Sequence, residues 1–403
     1  MDSGASSATY DVAIAGGGVI GCATARALAL HGGLRILLLE KESAVARHQS
    51  GRNSGVVHSG YNQKPGSLKA RFVVEGSRRL REFCLERGIR IHVGGILIVS
   101  QTDRDTAILK DLLARGQANG ARVEWVAEDR LRDIEPHARG ICALRAPDGA
   151  SFDAPAYVRM LATDAKGVEF SFGESVLDLA EEGASVAVRT SRRSVRCRAF
   201  VNAAGLHADR LAARMGVGRD LRVIPFRGEY CEISPTAAAL VRSHVYPAPD
   251  PRFPFLGVHL SRRVDGTVTA GPGAVLATGR ESYDSERWED RDLLDMAVWP
   301  GFWKMMTTRE FVVTAIKEGR KALWKSFIWR EARELMPELK PSDFGRRWSG
   351  IRAQLVSRDG KLVEDLVVRE TPRSVHVLNA VSPALTCSLP FADDVCRQVL
   401  RRL

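Results

Sequence analysis

Gly16, Gly18 and Gly21 of Gly16-Gly-Gly-Val-Ile-Gly21, with an acidic Glu40 downstream, are the clearest chemical signal in the chain. Gly16 suits a tight turn, Gly18 lets backbone approach a pyrophosphate, and Gly21 lets a helix pack closely on the strand before it. The pyrophosphate then meets the positive end of the helix. Glu40 accepts hydrogen bonds from a ribose 2′-hydroxyl, which disfavours a 2′-phosphate.

Those glycines need particular elements around them. The apolar run 10–15 suits a buried parallel strand, an Ala- and Leu-rich helix follows over 22–32, and 35–39 forms a second strand ending on Glu40. This β-α-β order supplies the context that a lone G-x-G-x-x-G lacks. Downstream, the pattern predicts helices over 67–88 and 102–120, a strand over 92–100, and a helix opening at Asp153-Ala-Pro155 with Asp153 as N-cap. A hairpin over 184–190 and 195–201 leads to Asn202-Ala-Ala-Gly205. Strands are expected at 223–233, 266–271, 346–357 and 374–380, and Ser382-Pro383 should start a closing helix, Ser382 capping and Pro383 in the first position. The fold class is α/β. A discontinuous Rossmann-like domain (8–90, 150–222 and 345–403) is interrupted by an α+β sheet substrate domain (91–149 and 223–344).

The 403 residues are 45% hydrophobic and 27% charged, which excludes disordered and fibrous classes. The net charge of +11 is compatible with nucleic acid, an anionic membrane, an acidic ligand or an arginine-rich proteome, and selects none of them. Seven scattered cysteines without a C-x-x-C spacing argue against a disulfide framework and a zinc site, and for a reducing compartment. The first basic residue is Arg26, so neither a secretory nor a mitochondrial leader is expected. Nor is a membrane span, since no stretch of roughly 18 uncharged apolar residues occurs. A cytoplasmic protein fits these features.

Residues 47–61 read Arg-His-Gln-Ser-Gly-Arg-Asn-Ser-Gly-Val-Val-His-Ser-Gly-Tyr, and Lys64-Pro-Gly-Ser-Leu-Lys-Ala70 follows. Further segments agree: Val201-Asn-Ala-Ala-Gly205 with Asp209, Pro225-Phe-Arg-Gly-Glu-Tyr230, the stretch 246–259, Gly350-Ile-Arg-Ala-Gln354 and Ser382-Pro-Ala384. Together they resemble the FAD-dependent L-2-hydroxyglutarate dehydrogenase/oxidase family, within the D-amino-acid-oxidase-like flavoproteins. The His-Ser-Gly-Tyr block with Lys-Pro-Gly-Ser-Leu-Lys carries the specificity of this match. The resemblance implies a D-amino-acid-oxidase-like fold, bound FAD, and oxidation of L-2-hydroxyglutarate to 2-oxoglutarate by hydride transfer to flavin N5. It sets Gly16, Gly18, Gly21, Glu40, Lys41, His48, Ser50, Asn53, Ser54, Gly55, Ala204, Gly205, Ser382, Pro383 and Ala384 at the cofactor.

Such an oxidation needs a base that titrates near neutrality, which favours histidine. His58, between Val57 and Ser59-Gly60, is the first candidate, His48 the second and His259 the third. A histidine that only packs against the flavin fits the same place. The α-carboxylate calls for a planar bidentate cation, and the resemblance points to Arg352. A distal carboxylate would need a second cation, with Lys64, Lys69 and Arg227 as candidates, and Tyr61 and Tyr246 could hydrogen-bond the substrate. The N-terminus of the closing helix, if aimed at the flavin pyrimidine, would stabilise the anionic reduced form. No metal is called for.

Residues 299–333 hold Trp299, Trp303, Trp324 and Trp329 interleaved with lysines and arginines. This stretch reads either as a helical cover over the pocket with a solvated basic face, or as a surface lying peripherally on the inner face of the cell membrane. The membrane reading would suit an enzyme that reduces quinone; oxygen is the other acceptor. No nucleic-acid module is recognisable. Two further readings stand beside the first: a sister flavoenzyme acting on an amino acid, glycerol phosphate or another 2-hydroxy acid, and a non-catalytic FAD-binding module.

Overall fold

The computed structural model describes residues 9–250, 257–284, 286–380 and 382–403. The N-terminal stretch 1–8 and the middle of the 246–259 segment, at 251–256, lie outside the described residues. The chain forms two compact units, one from 9–51, 154–224 and 353–403, the other from 52–153 and 225–352.

Among the described residues, the first unit is built on an eight-stranded sheet. Five strands run parallel in the spatial order Val168–Phe172, Ile36–Glu40, Thr9–Ala15, Ser194–Asn202 and Ser374–Asn379. All of Ile36–Glu40 is buried, which is why it reads Ile-Leu-Leu-Leu with no alternation. Helix Val19–His31 packs against the closing helix Ala384–Leu400 and against Ala154–Asp164. The latter two helices are joined by a 2.8 Å hydrogen bond between Tyr157 Oη and Ser388 Oγ.

The second unit is built on a nine-stranded sheet among the described residues. Its order is Glu124–Ala127, Cys142–Ala146, Ile96–Ser100, His244–Pro247, His259–Arg262, Val268–Gly271 and Leu221–Ile233, and the last strand also pairs with Val275–Leu276 and Phe344–Ser357. Period-two alternation sorts its faces. Leu97, Val99, Val245, Leu260, Val268, Ala270, Cys231 and Ile233 form a dry core with Ile328, Ala332 and Leu335 of helix Lys325–Leu335. The opposite face carries, strand by strand in register, Ile96, His244, Ser261, Thr269 and Glu232 in one row. Ile98, Tyr246, His259 and Gly271 form the next. Ile96, Ile98 and Tyr246 join Tyr61, Leu109 and Leu112 in a second apolar cluster. The remainder of that face is polar.

Several expectations shift. The strand expected over 92–100 is two, Ile91–His92 and Ile96–Ser100, because Gly94-Gly95 interrupts it and Gly95 sits at φ +81°. Residues 52–90, expected in the nucleotide domain, belong to the second unit. The physical reason is a three-stranded sheet in which Ala150–Phe152 pairs with both Val56–Val57 and Ile91–His92. The closing helix starts at Ala384, so Pro383 occupies the N-cap position and no side chain caps it; Ser382 is exposed and lies one residue too early. No helix among the described residues is long and apolar enough to cross a membrane.

Candidate active site

The glycine turn behaves as its spacing requires. Gly16 sits at φ +106°, and a Cβ there would lie 2.5 Å from the Ala203 carbonyl oxygen. A Cβ on Gly21 would come within 1.9 Å of the Gly16 carbonyl, so only glycine lets the helix sit this close. A Cβ on Gly18 would meet only Ser50 Oγ, at 3.3 Å, which leaves an open cradle at the helix start. Ser50 Oγ accepts from Val19 N at 2.9 Å, and Ala46 N donates to the Gly17 carbonyl, folding the 46–51 loop back onto the turn. Glu40 is buried at the strand end and accepts from Gly17 N at 2.6 Å and from Glu42 N at 2.8 Å. These bonds fix its carboxylate with lone pairs left for a ribose. An adenine dinucleotide fits this set: an open backbone cradle, a helix N-terminus and a positioned acid.

The other cofactor candidates divide. Ala204 and Gly205 follow strand Ser194–Asn202, where buried Asn202 holds the turn by accepting from Ala204 N and donating to the Ala208 carbonyl. Lys41 and His48 both reach Glu42, at 2.5 and 2.9 Å. Asn53 Oδ1 accepts from Gly55 N at 2.9 Å in a tight turn of the second unit, and Ser54 lies beside the Tyr230 phenol. Gly55 is left-handed (φ +68°) and its carbonyl accepts from Phe152 N.

The polar face of the second unit gathers most of the substrate candidates. His259 stacks on Tyr246 with ring centroids 4.1 Å apart, and its Nδ1 lies 3.0 Å from the Gly257 carbonyl. A neutral ring therefore donates through Nδ1 and keeps Nε2 as an acceptor. Burial, with the charges of Arg352 and Lys321 nearby, holds His259 down to about 3, against the pull of the Gly257 carbonyl. His58 is held down to about 4 by burial and then by Lys69, and it lies within electrostatic reach of both His259 and His244. Arg352 stands beside Gly228, where a Cβ would come to 3.7 Å from its Cζ. Tyr230 is buried, which raises its phenol against the opposing charges of Arg352 and Arg263. Its ring stacks flat on Trp348, centroids 4.2 Å apart and planes 8° from parallel.

Two substrate candidates are not brought there. Arg227 alternates onto the other face from Gly228 and Tyr230, where it pairs with Glu229 at 3.0 Å and donates to the Asp284 carbonyl at 2.9 Å. Lys64 is exposed, and its carbonyl accepts from Ser67, the N-cap of helix Leu68–Glu86. Sequence reasoning missed Tyr230 as a site residue, although the Pro225–Tyr230 motif contained it, and missed His244 altogether. Alternation along a known strand register would have found both.

Within the stretch 299–333, Trp299 is buried and Trp329 Nε1 donates to the Leu339 carbonyl, so both serve packing. Lys321 is also interior, bound by Glu318 at 2.7 Å and Glu331 at 2.8 Å. Trp303 and Trp324 remain 56% and 55% exposed.

An open glycine cradle on a parallel sheet, with neutral histidines and an arginine on a separate polar sheet, defines a flavin-type oxidoreductase architecture. Residues 11–398 match the family described as DAO, FAD dependent oxidoreductase, and the chain belongs to that family. Its cofactor is FAD. Among curated proteins it is similar to the L-2-hydroxyglutarate dehydrogenase of Salmonella houtenae, 39% identical over 97% of this chain and 93% of that one. The enzyme of that name from Escherichia coli K12 is 37% identical over the same shares, and the mitochondrial one from Bos taurus 36% identical over 99% and 90%. Among solved structures, the FAD-bound L-alpha-glycerophosphate oxidase of Mycoplasma pneumoniae aligns with a TM-score of 0.77 at 23% identity, covering 98% of this chain and 95% of that one. Glycine oxidase from Geobacillus kaustophilus aligns with a TM-score of 0.74 at 19% identity, over the same shares. Both share its fold.

Proposed function

We propose that this enzyme oxidises L-2-hydroxyglutarate to 2-oxoglutarate. The observation that carries the reading is one polar sheet face that carries Arg352, Tyr230 and His259, with His58 within electrostatic reach of His259. The nearly full-length similarity to proteins named for that substrate supports it.

The glycine turn, Glu40 and the 46–51 loop hold FAD, with Ala204, Gly205 and the start of helix Ala384–Leu400 completing the cradle. When bound, FAD supplies the hydride acceptor for the substrate C2. Arg352 receives the α-carboxylate as a planar fork, and Tyr230, kept protonated by burial, donates its phenol hydrogen to the same group. His58 is neutral at physiological pH and so has a lone pair for the substrate hydroxyl proton. A dianionic substrate beside it stabilises the imidazolium that results. His259 Nε2 is the alternative seat for that proton. An anaerobic screen of flavin bleaching over small hydroxy and amino acids tests the reading: L-2-hydroxyglutarate should bleach fastest, and bleaching by an amino acid or glycerol phosphate instead would replace it.

The electrons pass to quinone or to oxygen, and a surface feature supports quinone at a membrane. Helix Arg309–Leu323 exposes Val312, Val313 and Ile316 in one stripe beside Arg309, Lys317 and Arg320. Apolar residues flanked by cations suit peripheral contact with anionic lipid on the cytoplasmic side. Ile316→Glu should abolish co-sedimentation with anionic vesicles and leave flavin reduction unchanged. Equal sedimentation of variant and wild type would remove the membrane contact.

A further inference from the structure

The polar face of the second unit extends beyond the residues used so far. Strand His259–Arg262 continues its ladder through Arg263 N, which donates to the Thr267 carbonyl at 2.7 Å. Alternation therefore puts His259, Ser261 and Arg263 on one side. Arg262 confirms the parity, since its guanidinium turns the other way and donates to the Ala238 and Val241 carbonyls at 3.1 and 2.9 Å.

Ser261 and Thr269 face each other directly across the strand pair, and each is 1% exposed. Ser261 lies close to the Tyr246 phenol, yet neither its hydroxyl nor that of Thr269 completes a hydrogen bond. Buried hydroxyls normally find a partner, so the unpartnered Thr269 hydroxyl, beside a Ser261 that has only the Tyr246 phenol near it, marks a place where a polar ligand belongs. Two residues along from Ser261, Arg263 lies over the Trp348 ring at 5.4 Å, and its charge is felt by Asp265 without a direct ion pair among the described residues. Trp348 in turn stacks on Tyr230, whose phenol feels both Arg263 and Arg352. Two guanidiniums thus flank one face, with stacked rings fixing the ground between them. Glu232 stands opposite Thr269 on the side away from Ser261, so an anion belongs on the Ser261 side, under Arg263.

We propose that Arg263, with the Ser261 and Thr269 hydroxyls, binds the distal carboxylate of a 2-hydroxy dicarboxylic acid while Arg352 binds the first. The subsite thereby selects dicarboxylates over monocarboxylates. It rests on the substrate class assigned above, and it supplies the second cation that Lys64 and Arg227 do not.

The test is anaerobic reduction of the FAD-loaded enzyme by L-2-hydroxyglutarate and by L-2-hydroxypentanoate, which has the same chain length and no distal charge. In the wild type, the dicarboxylate should saturate at the lower concentration. Arg263→Gln should raise its half-saturation about 10- to 100-fold, as expected for losing hydrogen bonds to a charged group, and leave that of the monocarboxylate unchanged. Arg263→Lys should recover part of the loss, and Thr269→Val should weaken the dicarboxylate alone. Arg352→Lys should weaken both substrates. An unaltered flavin spectrum shows that each variant remains loaded and folded. If Arg263→Gln shifts both substrates alike, or neither, the subsite is wrong and the substrate class stands. If wild type is reduced by neither compound, the substrate class fails and the subsite with it.

Discussion

His259 lies against Tyr246, ring centroids 4.1 Å apart and planes tilted by 37°, while the Gly257 carbonyl takes its Nδ1–H at 3.0 Å. Stack and hydrogen bond together fix both the rotamer and the tautomer, so the lone pair on Nε2 has a set direction. A histidine prepared in this way differs from one that merely fills space, because it offers an acceptor without reorganising.

The pH profile of flavin reduction follows from the neighbouring base. Burial and Lys69 hold His58 near 4, so its acceptor form is already complete at neutral pH. The reduction rate should be flat between about pH 6 and 8 and fall only as the pH approaches 4. His58→Ala should slow reduction by about 10²- to 10⁴-fold with FAD retained. Stopped-flow reduction across pH checks both statements. A near-wild-type rate in His58→Ala, with strong loss in His259→Ala, would transfer the proton to His259.

Arg352→Lys should keep the yellow colour and lose substrate. A point charge replaces a planar fork, at a cost of roughly 2–5 kcal/mol in transition-state stabilisation. Comparing kcat/KM for wild type and variant decides the matter, and an unchanged value would take Arg352 out of the site.

Two glycines of the turn should respond differently to a side chain. Gly18→Val meets little protein, so the variant should fold and purify colourless because the pyrophosphate is blocked. Gly21→Val drives into the Gly16 carbonyl, so it should lose thermal stability even before cofactor is considered. Melting temperatures of the two apoproteins separate these outcomes, and equal melting would contradict the geometry.

Buried histidines make stability depend on pH. His244 and His259 are held near 3 by burial in the folded state, whereas an unfolded chain titrates them near 6.5. Between those values the unfolded chain binds more protons, so their contribution is complete above about pH 6.5 and is lost as the pH falls. Each adds a slope of about 1.4 kcal/mol per pH unit. Thermal melts should be level from pH 7 to 8 and decline below about 6, and His244→Phe should flatten the decline. A melting curve that is level down to pH 5 would show these rings already protonated in the fold.

The nucleotide half of the fold was legible because its signals are local. The turn at Gly16 to Gly21, the unbroken apolar strand at 36–40 and the acid at its end lie within one short stretch of chain. The substrate half was less legible, because its face is assembled by register between strands far apart in sequence. Tyr246 meets His259, and Gly228 makes room for Arg352, only after those strands pair. Arg227 looked as available as Arg352, yet one step along a strand turns a side chain to the other face. The strands at 124–127 and 142–146 carry little alternation and drew no expectation. Ser382 read as a helix cap by type, but the helix begins one residue later than its position needs.

The division of the second sheet into a dry face and a polar face separates two kinds of evolutionary constraint. Along His259–Arg262, position 260 answers to the packing of helix Lys325–Leu335, while positions 259 and 261 answer to whatever lies on the open side. Neighbouring residues of one strand can thus vary under unrelated pressures. Exchanges at 230, 259, 261, 263 and 269 can retune chemical preference while the packing at 231, 260 and 270 stays as it is.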